Sequence, residues 1–262
     1  METVTSADGT TIAYEKTGSG PALILCSGAL TDRKWMRPLA EELSDNFTVF
    51  NFDRRGRGDS GDSRVDPQRE VEDVAALIEA TGGHAFVYGH SSGAGLAFYA
   101  AAAGLAIDRL ILHEPPFHKD DGEESAGTRE YSEKLTAILA DGDGAEEAVE
   151  FFISALDEEA MEGMKGTPEW ESYVGMGRSL AWDSAGMRDA EGGTIPYADL
   201  DKLTMPTMML EGTESFDFMT VVGREMAEKL PKGTLKMLEG ADHEPSPGLI
   251  APAVLEFLGS DS

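Results

Sequence analysis

Cysteine is almost absent. Cys26 is the only one in 262 residues, so no disulfide can form within the chain. That usage fits a reducing compartment. Basic residues are also scarce: 21 lysines and arginines stand against 49 aspartates and glutamates, a net charge of −28. A chain so acidic is repelled by nucleic acid and by anionic membrane surfaces, so neither is an expected partner. No apolar run reaches about 18 residues, the length at which a helix spans a bilayer. The start, Met1-Glu2-Thr3-Val4-Thr5-Ser6, has neither the basic residues nor the apolar stretch of a secretory signal, and a cytoplasmic location is expected. There is no P-loop and no metal-spaced cluster of cysteine and histidine, so no cofactor and no metal is expected.

Hydrophobic residues make up 41% of the chain, enough for one large α/β domain or a core carrying an inserted module. The acids are spread along the sequence rather than gathered in a tail. They read either as a solvated surface or as adaptation to high salt, where screening removes self-repulsion.

Strand and helix patterns alternate through the first half. Thr10 to Glu15 alternates in polarity, and Ala22 to Cys26 is continuously apolar, as in a strand buried on both faces. Helical spacing follows over Trp35 to Leu43, then a strand over Phe47 to Phe52. Val71, Val74, Ala75 and Ile78 fall on one helix face. Ala85 to Tyr88 and Arg109 to His113 read as strands. From Phe117 to Thr204 the pattern is helical and acidic, with helices expected over Tyr131 to Leu139, Ala145 to Leu156 and Trp170 to Trp182. Strands resume at Pro206 to Glu211 and Leu235 to Leu238, with helices at Val221 to Leu230 and Ile250 to Leu258. The whole predicts a mostly parallel sheet flanked by helices, with residues 1–116 and 205–262 as its core and 117–204 as an inserted helical cap.

Gly89-His90-Ser91-Ser92-Gly93 lies between an apolar strand and a helix of small residues. G-x-S-x-G at a strand-to-helix turn is the pattern of a nucleophile elbow. Such a turn lifts the serine hydroxyl above the sheet, next to the unpaired N–H groups of a helix N-terminus.

With these features the chain resembles the α/β-hydrolase family nearly end to end, least in its helical middle. Phe52-Asp53-Arg54-Arg55-Gly56-Arg57-Gly58-Asp59-Ser60 is similar to the family's D-x-R-G-x-G-x-S loop, whose arginines lie near the mouth of the site. The resemblance implies Ser91 as nucleophile and His243, in Gly240-Ala241-Asp242-His243, as its base. It also implies an oxyanion hole built from the N–H groups of Ser92 and Ala29. The family's usual histidine before the glycine of that second loop is replaced by Ser27.

The acid departs from the family pattern. The turn expected to carry an aspartate reads Gly212-Thr213-Glu214-Ser215, with serine at the acid's place. Two carboxylates offer themselves. Glu114, at the end of the strand after the elbow helix, is preferred, because some family members carry their acid there. Asp217 is the alternative. Trp170, Tyr173, Met176, Leu180 and Trp182 read as a helix packing face or as pocket lining. The expected activity is hydrolysis of a small to medium neutral ester or lactone through an acyl-enzyme. The alternatives are a C–C hydrolase, cyclase, lyase or acyltransferase on the same scaffold, or a non-catalytic ligand-binding relative.

Overall fold

The computed structural model describes residues 1–120, 122–140, 142–156, 158–244 and 246–259. Strands β1 (Glu2–Thr5), β2 (Thr11–Gly18), β3 (Ala22–Cys26), β4 (Thr48–Phe52), β5 (Ala85–His90), β6 (Ile107–His113), β7 (Thr207–Gly212) and β8 (Gly233–Leu238) form one sheet. Its order is β1-β2-β4-β3-β5-β6-β7-β8. β2 runs antiparallel to both β1 and β4, and every pairing from β4 to β8 is parallel.

The flanking helices are α1 (Arg33–Leu43), α2 (Pro67–Thr81), α3 (Ser92–Ala102), α9 (Asp217–Lys229) and α10 (Pro247–Gly259). Alternate residues of β3 show how the layers form. Ile24 and Cys26 join α2, α3 and α9 in one apolar cluster, whereas Leu23 and Leu25 join α1 and α10 in another. A strand packed on both faces has no use for alternation, which is why its sequence is continuously apolar. Local signals set the helix ends. Asp66 caps α2 by accepting from the Gln68 N–H, Pro67 occupies its first turn, and Gly82 ends it at φ 107°.

Between β6 and β7 lie α4 (Glu123–Ala140), α5 (Ala145–Leu156), α6 (Glu158–Met164), α7 (Pro168–Met176) and α8 (Leu180–Gly186). They share a third apolar cluster, which includes Leu135, Val149, Trp170 and Leu180 and reaches Leu30 of the sheet core. The one helix expected over Trp170 to Trp182 is broken into α7, a 3-10 turn at Gly177–Ser179, and α8. At Gly177 the backbone runs so close to α5 that a Cβ there would meet the Ala145 carbonyl oxygen at 2.3 Å. The edge strand β1 and the short α6 carry too little apolar pattern to announce themselves. Among the described residues no helix is long and apolar enough to cross a membrane.

Candidate active site

Chain ends of the parallel strands converge on one edge of the sheet, as they must in an open α/β fold. Ser91 follows β5 at φ 53° and ψ −126°, a conformation that costs a non-glycine residue about 1–3 kcal/mol. Packing enforces it. A Cβ on Gly89 would meet the Gly93 carbonyl oxygen at 2.3 Å, and one on Gly93 would meet the Cys26 carbonyl oxygen at the same distance. The Ser91 N–H donates to the His113 carbonyl at 2.9 Å, tying the turn to β6.

His243 comes from the loop after β8. Its Nε2 lies 3.2 Å from Ser91 Oγ, and its Nδ1 lies 2.5 Å from Glu114 Oε2. Glu114 follows β6 at φ 48° and is wholly buried. Burial alone would raise its carboxyl. Bonds from His243, from Ser215 Oγ–H at 2.7 Å and from the Gly212 N–H at 2.7 Å outweigh that effect and hold it below its ordinary value. An ionised Glu114 accepts a hydrogen bond from the Nδ1–H of His243, which leaves Nε2 free to accept from Ser91. Ser215, at the acid's expected place, therefore supports Glu114. Asp217 is exposed at the first position of α9 and is not among the partners of His243.

Two further histidines lie beneath. His90 Nε2–H donates to the His243 carbonyl at 2.9 Å, and Trp35 stacks on its ring at 5.3 Å. Burial pushes His90 well below its ordinary value, with the neighbouring histidines adding to the effect, so the ring is neutral. His113 is pushed down to about 4 by burial and pairs with the Tyr88 hydroxyl at 2.6 Å. Nothing in the sequence signals that His90 holds the backbone of His243.

Ala29 and Ser92 flank Ser91 in a cavity of about 220 Å³. Among the described residues, neither backbone N–H has a backbone acceptor. Phe152, Leu180, Met187, Phe216, Phe218 and Met219 give the cavity an apolar wall, and Asp183 and Asp189 are the acids on it. Of the five helix residues expected as a packing face or lining, only Leu180 reaches this cavity. Trp170, Met176 and Tyr173 belong with the α4–α8 cluster, and Trp182 Nε1–H donates to Asp62 at 2.9 Å.

The arginines of the Asp53–Ser60 loop do not line the cavity either. Arg54, Arg55 and Arg57 are buried, and each is paired with internal carboxylates. Gly56 to Gly61 carries the spacing of a dinucleotide-binding loop, G-x-G-x-x-G, but it opens no helix. It closes on Asp53, which accepts from the Asp59 and Arg33 N–H groups at 2.8 Å each. Among the described residues, no three His, Cys, Asp or Glu side chains are grouped to hold a metal ion.

Known proteins resemble this chain in sequence and fold. The alpha/beta hydrolase family model matches residues 23–254. An alpha/beta hydrolase structure from Sphaerobacter thermophilus superposes with a TM-score of 0.88 at 40% identity, covering 98% of this chain and all of that one. A thermophilic esterase from Thermogutta terrifontis superposes with a TM-score of 0.75 at 25% identity, over 98% of this chain and 97% of that one. A 2-(acetamidomethylene)succinate hydrolase of Mesorhizobium japonicum is 32% identical over 105 residues, only 39% of this chain and 38% of that relative. A serine elbow on a mostly parallel eight-stranded sheet, matched over nearly its whole length by the family model, places the chain in the alpha/beta hydrolase family.

Proposed function

We propose that this hydrolase is a serine esterase acting on a small to medium neutral ester or lactone. The observation that carries the reading is the line Ser91 Oγ–His243 Nε2–Glu114 Oε2, at 3.2 and 2.5 Å. His243 takes the Ser91 proton as Oγ attacks the ester carbonyl. The oxyanion rests on the N–H groups of Ala29 and Ser92. The intermediate collapses as imidazolium protonates the departing alkoxide, leaving an acyl-serine. Water, deprotonated by the same histidine, then releases the acid and restores Ser91. Glu114 stays ionised throughout and stabilises the imidazolium. Helices α4–α8 act as a cap over this cavity.

The apolar wall and the two aspartates, with no lysine or arginine among the described lining residues, favour a neutral acyl group over a carboxylate-bearing one. Similarity to the thermophilic esterase supports ester chemistry. The similarity to a hydrolase named for a succinate derivative favours the second reading, hydrolysis of a bond other than an ester on the same scaffold.

The test is hydrolysis of short and medium p-nitrophenyl esters by the wild type and Ser91→Ala. Loss of at least about 10³-fold in kcat/KM on substitution is expected. Turnover within about threefold of wild type in Ser91→Ala rules out the nucleophile. A wild type without ester turnover shifts the assignment to the second reading.

A further inference from the structure

The two N–H groups assigned to the oxyanion are fastened to one buried charge cluster, and that cluster straddles the seam between the sheet core and α4–α8. Asp183 of α8 is its centre. Asp183 Oδ1 accepts from Ser92 Oγ–H at 2.6 Å, from Arg54 Nη1 at 2.9 Å and from Arg57 Nη2 at 2.6 Å. Asp183 Oδ2 accepts from Arg57 Nη2 at 2.7 Å. Arg54 also donates to Ser92 Oγ at 2.9 Å and to the Ser27 carbonyl at 3.1 Å, while its other nitrogens meet both oxygens of Glu70. Arg57 donates to the Gly28 carbonyl at 2.6 Å and to Ser179 Oγ at 3.1 Å. All of these side chains are buried. Two guanidinium groups face two carboxylates, so the cluster is neutral as a whole and intolerant of losing one member.

Peptide geometry turns this cluster into a statement about the oxyanion. The Gly28 carbonyl and the Ala29 N–H belong to one planar unit and point in opposite directions. Whatever holds that carbonyl also fixes where the Ala29 N–H points. Arg57 holds it, assisted by Thr31 Oγ1–H at 2.9 Å, and Asp183 holds Arg57. On the other side, Asp183 and Arg54 fix the side chain of Ser92, whose own N–H opens α3.

We propose that Asp183 is a positioning residue that sets both oxyanion donors at once and makes their convergence depend on α8 being seated against the core. The proposal rests on the serine-esterase reading in one respect, that Ser91 forms an oxyanion against these N–H groups. Asp183 also lines the cavity beside Ser91, so the clamp lies where an entering acyl group meets the seam.

The test compares wild type, Asp183→Asn and Ser92→Ala, using p-nitrophenyl butyrate turnover and inhibition by an alkyl trifluoromethyl ketone. The hemiketal that this ketone forms with Ser91 carries the oxyanion. Asp183→Asn is expected to lower kcat about 10- to 100-fold with KM within about threefold, and to weaken ketone inhibition by a similar factor. Ser92→Ala keeps every ion pair and every backbone N–H. It is expected to lower kcat by at least about fivefold and weaken the ketone in step, which answers the question even if Asp183→Asn does not fold. Variants that fold with kcat and ketone affinity within about threefold of wild type overturn the proposal, as does a loss confined to KM. A wild type that neither turns over the ester nor binds the ketone overturns the esterase reading and this proposal with it. A wild type that does both, matched by its variants, overturns only the positioning role.

Discussion

Ser215 Oγ–H donates to Glu114 Oε2 at 2.7 Å, joining residues 101 apart in sequence. The serine at the usual place of the family acid thus bonds the carboxylate paired with His243. Glu114→Gln is expected to lower kcat/KM by about 10³- to 10⁴-fold, since an amide cannot hold the required histidine tautomer. Ser215→Ala removes one of three donors to Glu114 and is expected to cost about three- to tenfold. Asp217→Asn is expected to stay within about twofold of wild type. Ester kinetics on the three variants check the assignment, and a large loss in Asp217→Asn alone would transfer the acid's role to that residue.

Asp189 gives the cavity a charge that changes near neutrality. Burial pushes its carboxyl up to about 7; a bond from Ser184 opposes this, the charge of Asp183 adds to it, and His118 opposes it. Tyr131 of α4 faces the same acids. Below that pH Asp189 is protonated and neutral; above it, the cavity gains an anion. KM for an ester bearing a free carboxylate is expected to rise about tenfold between about pH 6 and about pH 8, while KM for neutral p-nitrophenyl butyrate stays level. Asp189→Asn should abolish the rise. A carboxylate ester whose KM is indifferent to pH in the wild type counts against the idea.

Glu211 links stability to pH. It is wholly buried on β7, both of its oxygens lack a partner among the described residues, and a Cβ on Gly223 would collide with it. Burial, with the charge of Glu114 added, pushes its carboxyl from 4.5 up to about 9. Between those values the folded chain holds a proton that the unfolded chain has released. Stability therefore falls as pH rises through the window, by up to about 1.4 kcal/mol per pH unit from this group. Urea unfolding of wild type and Glu211→Gln should show the variant gaining on wild type from about pH 5 to about pH 8. The same stability difference at both pH values would show that Glu211 does not titrate in this way.

The sequence carried the parts of the site that rest on local rules. Gly89 and Gly93 around Ser91 announce the elbow because packing there tolerates no Cβ, and His243 sits in the loop after the last strand. Glu114 and Asp217 stayed open together, because the choice depends on which carboxylate the fold brings to His243, and neighbouring residues do not encode that distance. Asp183 had no local signal at all. It meets Ser92 across 91 residues, and its meaning appears only with Arg54 and Arg57 folded inward. Those arginines read from sequence as groups near the mouth of the site; burial among Glu70, Asp73 and Asp183 makes them internal struts.

Cys26 lies buried at the end of β3, its thiol pushed up to about 12 by burial. Thiol reagents find no thiolate and no access in the folded chain. The protein is therefore a blank background for site-directed labelling. A pair of cysteines introduced on the exposed faces of α4 and α10 would accept fluorophores without competition, and the separation of the helical segment from the sheet could be read directly during turnover.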